Sequence, residues 1–508
     1  MQVVLKREED IQRMFWKNCL KLLKKEKVYL ILLILISLLT FRFSDGYQGN
    51  KREYFIMAIC VISTVLLLIL YFTKKIEIHN YAFISIFVLG FLSLMVQPIL
   101  NIPDEQTHFA RAEIISEGKW RINPDEQYFD TIKSVTDLQE SFSQPITESI
   151  LVKGKKIDYT PEKVGHVAAS NMTILYIPQA IGIAVAKVLN MNAIWMMWFA
   201  RLGNLFSYII LIRSAIKIAP RLKCFLFFIS ILPMSVQQAA SCSVDSMING
   251  SAILFVALFL RLRYSNEQEN KEWIVFFLLA LFISVAKVTN IFLAGLILLV
   301  PYNVEKGKYK GKVIKAVMII GVIAVGVLHY YYTTTFAPAI DQIGYLKSMN
   351  INSKAQIQYI LNNTEEWLYY FVMSAINQTW GYVLQLNTYG SLSYSCPILS
   401  LVMVYLFGRM CTQEDGVNFS KIERILIILM ACGIYGATCL ALYLGWTPVG
   451  SNGIQGVQGR YFIPMLMLLG LEVMMPQKDK LYINYKTNIL LMLIMTSSMI
   501  IITGVKYY

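Results

Sequence analysis

The stretch Asn101-Ile-Pro-Asp-Glu-Gln-Thr-His-Phe-Ala-Arg-Ala112 gathers two carboxylates, an imidazole and a guanidinium into one short segment. Asn101 can cap a helix and Pro103 suits a first turn, so the sequence predicts a short helix beginning here. On it Asp104, His108 and Arg111 fall at i, i+4 and i+7, one face, with Glu105 beside them. Such a set could deprotonate a hydroxyl through a carboxylate and hold a phosphate through the guanidinium. The acids also have a plainer use, because carboxylates in a first turn complement the helix dipole. As hard oxygen ligands, Asp104 and Glu105 could hold Mg2+ or Mn2+.

Three further charges stand where charges are expensive. Lys287 interrupts an apolar run, and a charge at membrane depth is functional by default. Asp245, at the end of another apolar run, could instead pair with it in a salt bridge. Arg460 opens a third run within an otherwise uncharged loop, where it could meet a phosphate or merely anchor at the interface.

The elements that must position these residues follow from composition. Of 508 residues, 56% are hydrophobic and 15% charged, against roughly 25% charged in a soluble domain. The apolar residues come in continuous blocks long enough to cross about 30 Å of hydrocarbon, so they read as helices rather than barrel strands. The spans expected are 28–41, 54–73, 82–100, 194–216, 224–241, 247–262, 273–301, 313–332, 394–408, 422–443, 459–475 and 488–505. The formal net charge is +14, but the basic residues flank spans, as cytoplasmic loops do, and nucleic acid is not implied. The basic tail 1–27 then lies inside, with no cleavage site behind it. Consistent sidedness requires two irregularities. Residues 171–189, interrupted by Pro178, must form a re-entrant or interfacial helix. Residues 273–301 must go in and out as two short helices breaking near Lys287-Val-Thr-Asn290.

The resulting organisation is a tail (1–27), two N-terminal spans (28–80), a main membrane domain (81–475), and a last loop and span (476–508). Two long outer loops, 101–170 and 333–393, suggest one composite outer site. Among the outer aromatics, Trp380, Tyr382, Trp446 and Tyr461 could stack on sugar rings or form an interfacial belt. His166 has no evident partner. No cysteine pair has metal-ligand spacing. Walker, dinucleotide-binding and Gly-x-Ser-x-Gly motifs are absent.

The stretch Pro103-Asp-Glu-x-x-His108-Phe-x-Arg111-Ala, followed by Ser116-Glu-Gly118, resembles the signature of a family of bacterial predicted membrane proteins. That family is grouped with the GT-C superfamily of polyprenyl-phosphate-dependent glycosyltransferases. The likeness continues through Tyr176-Ile-Pro-Gln-Ala, Arg201-Leu-Gly-Asn204, Leu232-Pro-Met and Ser243-Val-Asp245. It ends with Ala286-Lys287-Val-Thr-Asn290, Trp380-Gly381 and Gln458-Gly-Arg460-Tyr461-Phe462-Ile-Pro464. The resemblance covers most of the chain from about residue 80 and implies a GT-C-like bundle of about 12–13 helices with a catalytic first outer loop. It implies transfer of a sugar from a polyprenyl-phosphate donor to an envelope glycan or teichoic-acid-type acceptor, with inversion, at the outside of a bacterial plasma membrane. The expected roles are catalysis by Asp104 and Glu105, and donor-phosphate binding by Arg460, Arg111 and Lys287. His108, Asp245, Gln458, Tyr461 and Trp380 would support them. A transporter, flippase or polymerase for a lipid-linked glycan is the competing expectation, as is a non-catalytic scaffold.

Overall fold

The computed structural model describes residues 24–73, 76–121, 128–146, 156–165, 167–168, 171–301, 308–336, 349–389, 397–413, 416–474 and 485–508. Most of the basic tail and His166 lie outside the described residues. The chain is an all-α polytopic bundle with one small sheet among the described residues. Its elements begin with α1 (Lys27–Arg42), α2 (Lys51–Phe72), α3 (Ile78–Val96) and α4 (Glu105–Ser116). Next come β1 (Phe129–Ile132), α5 (Lys133–Glu140), β2 (Pro161–Val164) and a 3-10 turn (Thr173–Tyr176). Then follow α6 (Ile177–Val188), α7 (Ala193–Ile218), α8 (Lys223–Ile231), α9 (Pro233–Ala239), α10 (Asp245–Tyr264) and α11 (Asn270–Ala286). A 3-10 segment (Val288–Gly295) leads into α12 (Leu296–Leu299), α13 (Lys308–Phe336), α14 (Ser353–Asn362) and α15 (Thr364–Gln385). The last are α16 (Pro397–Gln413), α17 (Lys421–Gly445), a 3-10 turn (Gly459–Phe462), α18 (Ile463–Val473) and α19 (Tyr485–Tyr507).

Seven of these helices are long and apolar enough to cross a membrane: α2, α3, α7, α10, the middle of α13, α17 and α19. Of the seven, α10 and α19 are the most enclosed by protein. Two other expected spans, 224–241 and 273–301, are broken. Residues 224–241 divide into α8 and α9 at Pro233, which cannot donate a backbone hydrogen bond and opens the second helix.

The segment 273–301 reverses direction at Lys287. Lys287 lies beside Tyr461 at the end of the bundle where α10 begins. Twelve residues later the Leu299 carbonyl accepts from Arg263 Nη1 at 2.5 Å, at the other end of α10. Two expectations need correction. Pro178 does not interrupt 171–189. It occupies the first turn of α6, where its missing N–H costs nothing. The region 333–393 is not an outer loop throughout, because α15 runs antiparallel to the second half of α17. Phe371 packs on Tyr443, and eight residues further along Thr379 pairs with Tyr435.

The described residues between 101 and 168 form their own layer at the Lys287 end. β1 and β2 pair antiparallel, with Phe129 opposite Val164 and Ile132 opposite Pro161. Phe109, Ile114, Val135, Leu138, Leu175 and Met197 fill a second core beneath this layer. Two glycines let α6 and α7 cross closely. A Cβ on Gly182 would lie 2.0 Å from the Phe199 carbonyl oxygen, and one on Gly203 would lie 2.2 Å from that of Pro178. This crossing sets the height of Arg201, two residues before Gly203.

Candidate functional site

The helix carrying the acidic pair starts at Glu105, later than Asn101 would dictate. Asn101 makes no cap. Its amide donates to Ser143 Oγ at 3.0 Å and Tyr507 Oη at 2.9 Å, tying the layer to the end of α19. Asp104 occupies the cap position with φ +64°, a left-handed conformation that aspartate tolerates better than most residues. Its side chain caps nothing. The kink turns two adjacent carboxylates in opposite directions.

Glu105 turns inward and is fully buried. Arg201 holds it through Nε to Oε1 and Nη2 to Oε2, both 2.8 Å. Oε1 also accepts from the Cys242 amide at 3.0 Å and Oε2 from the Ile102 amide at 3.3 Å. Arg201 spends its remaining donors on the carbonyls of Leu94, Gln97 and Pro98. The expected catalytic or metal-binding role of Glu105 therefore gives way to a structural one, for no lone pair is left facing the site. Nor do the two acids form a metal site, since they diverge. Among the described residues no group of three or more His, Cys, Asp or Glu side chains could hold an ion.

Asp104 turns outward, its side chain 53% exposed, and its Oδ2 accepts from Arg460 Nη2 at 2.5 Å. Arg460 is 2% exposed, so it is neither a snorkelling side chain nor an interfacial anchor. Its Nη1 donates to the Pro103 carbonyl at 3.1 Å, and its Nε faces Asp245 Oδ2 at 3.2 Å. It is delivered by the 3-10 turn before α18, where Gly459 permits contact that a side chain would block. A Cβ there would lie 2.5 Å from the Tyr382 carbonyl oxygen. Gly459 also donates its amide to Gln385 Oε1 at 2.6 Å, so the end of α15 braces the turn.

Asp245 opens α10 and is presented by the short turn 240–244. That turn is held from α7 by Asn204, whose amide donates to the carbonyls of Ser241 at 2.7 Å and Ser243 at 2.9 Å. Lys287 makes no ion pair with Asp245. Its ammonium sits 3.5 Å from the centroid of the Tyr461 ring, while the Tyr461 hydroxyl lies 3.3 Å from Arg460 Nη2. Asp104, Arg460, Asp245, Tyr461 and Lys287 thus form one contiguous group drawn from four distant parts of the chain.

The other expected residues lie around it or apart from it. His108 is buried behind Asp104, its Nδ1 paired with Tyr176 Oη at 2.8 Å. Burial pushes its imidazole down to about 4, so it is neutral at physiological pH. Arg111 lies one turn further along α4 and does not touch Arg460. The Gln458 backbone carbonyl accepts from the Tyr461 amide at 3.1 Å. Trp380 is 54% exposed on the side of α15 opposite Tyr382, which packs against Phe462, so it is not brought to the group.

Arg201 is a structural partner within the bundle, as an arginine inside an apolar block suggests, whereas no motif singles out a role for Asn204, whose side chain holds the Asp245 turn. The available signal was an arginine and an asparagine three apart on one helix face inside an apolar block. Asn249 and Asn290, one turn below Asp245 and Lys287, carry buried amide nitrogens with no hydrogen-bond partner.

Fold and site together define a polytopic helical membrane protein with a charged group at one end of its bundle. Residues 87–469 match the family model described as predicted membrane protein (DUF2142), and the chain belongs to that family. Neither a curated protein nor a solved structure matches it.

Proposed function

We propose that the protein is a membrane glycosyltransferase moving a sugar from a polyprenyl-phosphate donor to a hydroxyl of an envelope glycan or teichoic-acid-type acceptor. The observation that supports this most is the exposed carboxylate of Asp104, oriented through one oxygen by a buried arginine, with the ammonium of Lys287 nearby, which makes no ion pair among the described residues. In the reaction an acceptor oxygen bonds to the anomeric carbon as the bond from that carbon to the phosphate oxygen breaks. Asp104 takes the hydroxyl proton through its other oxygen. The phosphate leaves with the electron pair, and Lys287 compensates its charge. Attack opposite the leaving group inverts the anomeric centre.

Arg460 is already compensated by two carboxylates, so its part is to fix Asp104 and Asp245 rather than to hold the phosphate. The location consistent with this chemistry is the outer face of a bacterial plasma membrane, the side to which the distribution of basic residues assigns the Asp104 end.

A second reading, transport of a lipid-linked glycan, is favoured by the buried, unpartnered amides of Asn249, Asn290 and Asn387 deeper in the bundle. Comparison of envelope glycans separates the two. With membrane levels matched, Asp104→Asn in the transferase reproduces the glycan of cells lacking the protein, and the missing sugar identifies the donor. A wild-type glycan from Asp104→Asn overturns the mechanism and moves transport forward.

A further inference from the structure

Three buried arginines converge on this end of the bundle, and their charge balance differs. Arg201 has Glu105, and Arg460 has Asp104 and Asp245. Arg111 is 2% exposed and has no carboxylate within ion-pair reach among the described residues. Its one hydrogen bond runs from Nη2 to Thr173 Oγ1 at 3.1 Å, while Nε and Nη1 are buried with no partner. Four of the five N–H groups of a guanidinium that keeps its proton therefore meet no partner among the described residues. A buried, uncompensated charge is unfavourable in itself, which points to a partner supplied from outside the chain.

The surroundings suit an oxyanion. Besides Thr173, the neighbours are Tyr176, whose hydroxyl accepts from Asn171 Nδ2 at 3.0 Å, and His108 behind it. None of these side chains is acidic. The cover is thin: Thr173 is half-buried and donates to the carbonyl of Trp120, itself 55% exposed. Arg111 stands two helical turns beyond Asp104, about 10 Å along the α4 axis. It belongs to the layer of α4, β1, α5 and β2 rather than to the spans.

We infer that Arg111 anchors a second oxyanion site, which takes a phosphate or carboxylate carried by the hydrophilic substrate about two helical turns from the hydroxyl that Asp104 activates. The identity of that molecule as the acceptor rests on the transferase reading; the site itself does not. It makes the acceptor an anionic glycan and leaves Lys287 to the lipid phosphate.

The test uses the full chain in nanodiscs of neutral lipid, titrated with inorganic phosphate, and in parallel in discs doped with polyprenyl phosphate. Binding is read by calorimetry and by the thermal midpoint. The wild type and Lys287→Gln bind inorganic phosphate, and Arg111→Gln weakens that binding by about tenfold to a hundredfold, the worth of a charged hydrogen bond. Arg111→Lys, which keeps the charge without the planar fork, weakens it less and carries the test if Arg111→Gln does not accumulate.

Phosphate binding unchanged in Arg111→Gln, or absent from the wild type, overturns the site. A loss confined to discs doped with polyprenyl phosphate overturns its assignment to the hydrophilic substrate. Neither readout needs sugar transfer, so failure here leaves the transferase reading standing.

Discussion

Asp104 and Arg460, 356 residues apart in sequence, meet at 2.5 Å at the end of the bundle, while the adjacent Glu105 turns away to Arg201. Two neighbouring acids thus have separate fates, one exposed at the site and one sealed beneath it. Their substitutions should separate activity from folding. Asp104→Asn keeps membrane accumulation near wild type and abolishes the glycan product. Glu105→Gln leaves Arg201 without its counter-charge and costs about 3–5 kcal/mol. It is expected to lower membrane levels and the thermal midpoint, measured by quantitative blotting and thermal unfolding in detergent. Normal accumulation of Glu105→Gln would refute the structural role given to it.

Because the cost of breaking this pair comes from the charge left behind, removing both partners is milder than removing either. Glu105→Leu combined with Arg201→Met should recover much of the accumulation lost by each single substitution. A double variant at least as unstable as the sum of the singles would show that the pair does more than cancel charge. The backbone carbonyls of Gln97 and Pro98, which Arg201 also serves, set the limit to recovery.

His108 supplies a pH dependence whose sign can be worked out. Burial, its largest influence, outweighs the carboxylates of Asp104 and Asp245 and lowers its folded value to about 4 from about 6.5. Between those values the unfolded chain binds a proton that the native state excludes. Stability contributed by the neutral imidazole is therefore present above about 6.5 and lost as pH falls towards 4. The slope is at most about 1.4 kcal/mol per pH unit for this one group. Midpoints at pH 7, 6 and 5 should fall more steeply for wild type than for His108→Gln. Parallel profiles would remove His108 from the account.

Legibility of the sequence varied with the physics behind each feature. The break at Lys287 could be read because a lysine inside an apolar run needs a polar exit, and sidedness demanded a reversal there. The divergence of Asp104 and Glu105 could not, because it depends on one left-handed residue, and a pattern of helix periods assigns adjacent acids to neighbouring positions. Asn101 had a better partner in Tyr507, across the whole fold, than in a local cap. The descent of α15 was hidden for another reason. Asn377, Gln378 and Thr379 dilute its hydropathy, although Gln378 and Thr379 spend their polar groups on Ile454 and Tyr435.

That helix carries the last prediction. Leu368, Tyr369, Val372, Met373, Ile376 and Trp380 form one exposed stripe along α15, while Phe371 and Tyr382 pack inward against Tyr443 and Phe462. No charged residue occurs between Trp367 and Gln385. Since Tyr435 lies about 15 Å from the Gly445 end of α17, the part of α15 paired with it reaches hydrocarbon depth. The stripe should face acyl chains. With the exposed Cys432 replaced by serine, Glu365→Cys should react readily with a membrane-impermeant maleimide in intact bilayers, and Ile376→Cys should react only after detergent is added. Brominated lipids should quench wild-type tryptophan fluorescence more than that of Trp380→Phe. Prompt labelling at both positions would return α15 to the aqueous loop that the sequence suggested. It would also remove the helix as a lipid-facing wall beside the turn that carries Gly459 and Arg460.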